Sequence, residues 1–166
     1  MPRDHITHNQ LVSSFVFATT LPKGITESFL LVVVKNTLEV LNWDPQGMVS
    51  VAFVSKQKSR DINNKYAKHD YPTDVLSFSY PVQESAATIH QTKDYTGEIV
   101  IASQIAAEQA RKYNVDFKSE IALLLVHGIL HLSGLDHQDH DQKASFERLQ
   151  SVILKSLNLK YHEMLW

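Results

Sequence analysis

The six residues Ile121-Ala122-Leu123-Leu124-Leu125-Val126 form an unbroken apolar run that leads directly into His127 and, four residues on, His131. A helix through such a run has no polar face to offer water, so the rest of the chain must enclose it. Residues four apart lie on one helix face, so both imidazoles can point at one spot. Buried imidazoles need partners, and a shared metal ion supplies one. The competing arrangement, two surface histidines on a solvated helix, fits poorly with the apolar run.

The next residues extend the pattern. Gly134 can end the helix in a left-handed cap and turn the chain back, which lets His137 supply a third ligand. Three imidazole nitrogens suit zinc and leave a fourth position open, the arrangement of a catalytic metal. One Zn²⁺ per chain, held by His127, His131 and His137, is therefore expected, with the character of a metal-dependent hydrolase. Zinc held by neutral ligands lowers the pKa of a bound water from 15.7 to about 7, and the cationic site favours anionic substrates. The spacing His-x-x-x-His-x-x-Gly-x-x-His is also that of metzincin proteases, whose second motif residue is a glutamate base. Here that residue is Gly128, so peptide hydrolysis by that route is not expected. Asp136, Glu120 and Asp139 are the nearby acids that could act instead. Each has a plainer role open to it: Asp136 as a partner orienting a histidine, Glu120 and Asp139 as first-turn helix acids.

The absence of cysteine confines any transition-metal site to histidine and carboxylate ligands. With a net charge of −2, any nucleic-acid contact must rest on a local patch. Such a patch is visible. Lys56, Lys58, Arg60, Lys65 and Lys68 stand against the single acid Asp61, a local charge of about +4 and the footprint of phosphate contacts, with a solvated helix face as the alternative.

A length of 166 residues fits one domain, 1–166. Leu11 to Leu21 is interrupted by serines and threonines and reads as a strand or core segment, not a targeting signal. Phe29 to Val34 is too short to span a membrane. The chain reads as soluble and cytoplasmic. Along it we expect a short N-terminal strand, then a helix over Ile25–Leu41 and a strand over Met48–Val54. A polar helix over Ser55–Lys68 and a strand over Val75–Tyr80 follow, then a long polar connection over Pro81–Thr96. The remainder reads as a strand over Gly97–Ala102, a helix over Ser103–Tyr113 opening on a serine cap, the histidine helix over Phe117–Ser133 and an amphipathic helix over Asp139–Leu157. The fold class is α+β, a small mixed four-stranded sheet packed with about five helices.

Three segments together carry a family resemblance: Asp70-x-Pro72-Thr73-Asp74-Val75-Leu76-Ser77-Phe78, Gly97-Glu98-Ile99-Val100-Ile101, and His127-Gly128-x-Leu130-His131-Leu132-x-Gly134-x-Asp136-His137. From about residue 47 onward the chain resembles the YbeY family, single-metal endoribonucleases of ribosomal RNA maturation. The resemblance implies zinc on His127, His131 and His137, and a histidine helix packed centrally against a four-stranded sheet. The family's Tyr-Arg-Gly-Lys-Asp is here Tyr66-Ala67-Lys68-His69-Asp70, so its phosphate-contacting arginine is replaced by Ala67. Arg60, roughly 10 Å away along the helix, and Lys68 are the cations nearest that role. With Asp136 they complete the set of catalytic candidates. The expected activity is zinc-dependent cleavage of single-stranded RNA in ribosomal RNA maturation and ribosome quality control, with ribosomal particles as possible partners. Two alternatives stand beside it: a non-catalytic ribosome-assembly factor with structural or vestigial zinc, and a hydrolase of small phosphorylated substrates, which the lack of a phosphate-cradling glycine loop disfavours.

Overall fold

The computed structural model describes residues 14–45, 47–80, 95–136 and 140–163. Its elements in chain order are β1 (Phe15–Phe17), α1 (Glu27–Leu41), β2 (Met48–Val54), α2 (Lys56–Ala67), β3 (Val75–Ser79), β4 (Tyr95–Ala102), α3 (Ser103–Tyr113), α4 (Phe117–Leu132) and α5 (His140–Ser156). The α+β class, the mixed four-stranded sheet and the helices are those read from the sequence. His137, Asp139 and most of the polar connection, 81–94, lie outside the described residues.

The strands are ordered β1-β2-β4-β3. β1, β2 and β4 run parallel, and β3 pairs antiparallel to β4, with Ser77 opposite Ile99 and Ser79 opposite Gly97. Residues in register project to the same side of a sheet. Val49, Val51, Ile99 and Ile101 are fully buried on one side. That side receives α4, whose whole length from Ser119 to Leu130 is buried. An all-round apolar helix can be satisfied only by neighbours on every flank, and α4 touches α1, α3, α5, β3 and β4. Truncating one of its fully buried leucines, such as Leu124, would cost about 2–5 kcal/mol.

Two glycines set how closely α4 approaches β4. A Cβ at Gly128 would stand 2.8 Å from Ile99 Cγ2, and one at Gly97 would stand 2.6 Å from both Leu132 Cδ2 and the Phe78 carbonyl oxygen. Helix and sheet therefore meet at two points where no side chain fits.

The helix ends follow from local chemistry. Thr26 caps α1 by accepting from the Phe29 N–H at 3.3 Å, so the helix starts two residues later than Ile25. Ser55 caps α2 in the same way through the Lys58 N–H. The expected serine cap of α3 is absent. Ser103 is its first helical residue and Ala102 its cap, because β4 runs directly into the helix with the Ala102 N–H already bonded to the Asp74 carbonyl at 2.7 Å. Asn42, Asn114 and Asn158 adopt left-handed conformations after α1, α3 and α5; asparagine tolerates that region better than other non-glycine residues. No helix among the described residues is long and apolar enough to cross a membrane.

Candidate metal centre and substrate cleft

His127 and His131 occupy the last two turns of α4, one turn apart. Their Nε2 atoms are 3.1 Å apart, and their ring planes cross at 73°. Two nitrogens bound tetrahedrally to one zinc at roughly 2.0–2.1 Å stand about 3.3 Å apart. The pair thus has the bite of a shared cation. Two nitrogen lone pairs approach this closely only when a proton or a cation lies between them.

The neighbours of these rings come from α5. Gln150 Oε1 is 3.3 Å from His127 Nδ1. An Nδ1–H donating there directs the Nε2 lone pair towards His131. Phe146, fully buried, presents its ring 5.0 Å from His127 and 4.9 Å from His131. It fixes both rotamers on an apolar floor. Sequence reading missed Gln150 and Phe146. The signal was present: Phe146, Gln150, Ile153 and Leu154 form one buried stripe of α5, and a lone amide in that stripe requires a polar partner.

The chain beyond α4 turns as its glycine requires. Gly134 has φ +92°, with its N–H bonded to the His131 carbonyl and the Leu135 N–H bonded to the Leu130 carbonyl. This paired closure is a Schellman cap. It sends the backbone past the end of the helix and places Asp136 beside the two histidines. A cleft of about 390 Å³ results, walled by Ser77 and Ser79 of the edge strand β3, His127, His131, Gly134 and Asp136. Ser77 Oγ lies 3.5 Å from the Gly128 carbonyl and ties that strand to the histidine helix.

Among the described residues, no three histidines or carboxylates gather as a metal-binding group. His127, His131 and Asp136 share the cleft, and His137 lies outside the described residues. The donor set fits zinc: neutral nitrogens at the right separation, one of them oriented by an amide.

The other sequence candidates are placed elsewhere. Arg60 grips Asp70 with two parallel bonds of 2.8 and 2.9 Å. The pairing raises the guanidinium pKa and lowers that of the Asp70 carboxyl, in both cases chiefly through the hydrogen bond. Lys68 is the left-handed residue ending α2, and its Nζ donates to the Lys65 carbonyl. Neither lines the histidine cleft. Lys56 pairs with Glu108 at 2.9 Å, so the basic segment is partly neutralised by acids distant in sequence.

Glu120 is two turns before His127, roughly 10 Å along the axis. It is buried, and its Oε2 accepts from His162 Nε2 at 2.8 Å. Burial raises its pKa despite the opposing influence of His162. The His162 ring stacks on Tyr113 at 3.8 Å, so Glu120 belongs to a structural cluster that fastens residues near the C-terminus.

Comparisons with known proteins point one way. The profile of the family described as Endoribonuclease YbeY matches residues 19–158. Endoribonuclease YbeY of Alkaliphilus oremlandii is 37% identical over 117 residues, covering 70% of this chain and 76% of that protein. The Lysinibacillus sphaericus protein of the same name is 35% identical over 130 residues, covering 76% and 83%. That of Carboxydothermus hydrogenoformans is 34% identical over 137 residues, covering 82% and 91%. Among solved structures, TM1509 from Thermotoga maritima superimposes with a TM-score of 0.52 at 24% identity, covering 83% of this chain and 88% of that one, a likeness of fold.

Proposed function

This chain belongs to the YbeY endoribonuclease family, and from that premise we propose that it is a single-zinc endoribonuclease cutting single-stranded RNA in ribosomal RNA maturation and quality control. The observation that carries this reading is the pair of Nε2 atoms 3.1 Å apart, facing a cleft walled by an edge strand.

His127 and His131 are the ligands assigned from described residues, with His137 as the third. When bound, zinc would supply Lewis-acid activation of water and neutralise charge developing on phosphate. The chain supplies the rest. Gln150 sets the His127 tautomer, and Phe146 keeps bulk water from the inner side of both rings. Asp136, which lines the same cleft, would take a proton from the attacking water. Hydrolysis forms one P–O bond to that water and breaks one to a ribose oxygen, which would leave with the proton that Asp136 took up. Lys58 and Lys65 are available for flanking phosphates, with Arg60 once its partner Asp70 yields.

A second reading, a ribosome-assembly factor without turnover, is favoured by one observation. Ala67 has no cation to offer, and the nearest arginine is held by Asp70. The two readings separate in a single experiment. Zinc per chain and cleavage of single-stranded RNA are measured for wild type, His131→Ala and Ala67→Arg. Endoribonuclease action predicts one zinc and cleavage in wild type, with both lost in His131→Ala. The assembly-factor reading predicts particle binding without cleavage, and cleavage gained in Ala67→Arg. Undiminished cleavage by metal-defined His131→Ala would refute the zinc mechanism.

A further inference from the structure

The edge strand β3 has a cavity on each of its two sides. Ser77 and Ser79 border both, and the second, about 480 Å³, lies on the sheet face opposite α4. Its walls are Ile62 and Tyr66 of α2, Phe78 and Tyr80 from β3 and the residue after it, and Glu98 and Val100 of β4. Its size is that of a small-ligand site, roughly 300–1,000 Å³.

Its composition is unlike an ordinary protein surface. Tyr66 is 60% exposed and Tyr80 45%, on a patch where solvent-facing aromatics serve no core. Tyr66 and Phe78 meet at 5.3 Å between ring centroids, tilted by 60°. The Tyr80 hydroxyl donates to Glu98 Oε2 at 3.3 Å, which holds the carboxylate at one wall. Burial, and then the nearby Glu98 carboxylate, raise the Tyr80 pKa, so the phenol remains a donor. Lys65 Nζ lies 4.9 Å from the Tyr66 centroid and adds a cation beside that ring.

Aromatic planes, a cation at the edge and one fixed acceptor are the elements of a base-stacking site. We propose that this cavity binds one nucleobase of the RNA, with the base on this side of β3 and the scissile phosphate on the histidine side. The proposal rests on the RNA-cleaving reading above. Among the described residues β3 is the outermost strand, so no other described strand stands between its edge and a nucleotide chain that crosses it. Aromatic faces accept any base, so selection falls to Glu98. A carboxylate is acceptor-only and keeps lone pairs beyond the one engaged by Tyr80. It favours a base with adjacent N–H donors on its Watson–Crick edge. Guanine has two, at N1 and the exocyclic amine, and uracil has one.

The test uses guanosine 5′-monophosphate and uridine 5′-monophosphate, which contain no phosphodiester to cleave, titrated into the full chain and followed by NMR. Saturable shifts are expected in the ring signals of Tyr66, Phe78 and Tyr80, with the guanine nucleotide binding about fivefold or more tightly. Tyr66→Ala should weaken both nucleotides about tenfold. Glu98→Gln, a conservative change that keeps the fold, should erase the preference. Ring signals unmoved by either nucleotide, or moved equally by inorganic phosphate, would overturn the subsite. RNA cleavage is measured in parallel. Cleavage without ring shifts rejects this site alone, whereas ring shifts without cleavage reject the enzymatic reading and leave nucleobase binding standing.

Discussion

Gln150 on α5 and His127 on α4 are joined through Oε1 and Nδ1 at 3.3 Å, so an amide on one helix faces the imidazole of another. Gln150→Ala should weaken zinc binding about 10–100-fold, while Gln150→Glu should retain it through a carboxylate acceptor. Competition with a chromophoric chelator measures this, with circular dichroism confirming equal folding. Unaltered affinity in Gln150→Ala would mean that the contact orients nothing.

Gly128→Ala should destabilise the fold by about 1–3 kcal/mol. The added Cβ meets Ile99 Cγ2, a branched atom in a fully buried side chain that cannot swing aside. In an isolated helix the same change would gain about 1 kcal/mol. Urea unfolding therefore reads the sign: stabilisation would mean that the helix–sheet approach is looser than 2.8 Å implies.

Gly134→Ala introduces a side chain at φ +92°, where nothing lies within 4 Å but the backbone conformation is strained. The expected loss is about 1–2 kcal/mol. Zinc affinity should fall alongside it, because the cap aims the residues that follow. If stability drops and affinity holds, zinc binding does not depend on the cap.

Glu120 imposes a pH signature. Burial raises its folded pKa above the ordinary carboxyl value of 4.5. Between those two pKa values the folded state binds more proton than the unfolded one, so stability declines as pH rises through this window and levels off above it. Glu120→Gln removes this contribution. The stability difference, variant minus wild type, should therefore grow with pH from about 4.5 upward and then plateau. Chemical denaturation at a series of pH values checks it. A flat difference would show that His162 fully compensates the burial.

Most of the architecture was legible because its signals are local. The strand Met48–Val54 carries alternation and β-branched residues, and the apolar run from Ile121 fixes a buried helix. The helix boundaries moved by one or two residues where caps decided them, as at Thr26 and Ser55. The convergence of His127 and His131 was legible from helical periodicity alone. The Arg60–Asp70 clamp, the Lys56–Glu108 pair and the Gln150 contact were not, since each joins residues whose proximity is created by tertiary packing. The same reason hid the aromatic cavity. Ile62, Tyr66, Phe78, Tyr80 and Glu98 come from three elements and the residue after β3, and no spacing in the sequence announces their meeting.

The contact between Gly128 and Ile99 also bears on how this scaffold can change. A glutamate placed at 128 would complete the protease-like His-Glu-x-x-His pattern, yet its Cβ would collide with a residue on β4 before its carboxylate reached any water. Ile99 would have to shrink in the same step. Two substitutions on separate elements, each harmful alone, form a valley that separates this helix from peptidase chemistry.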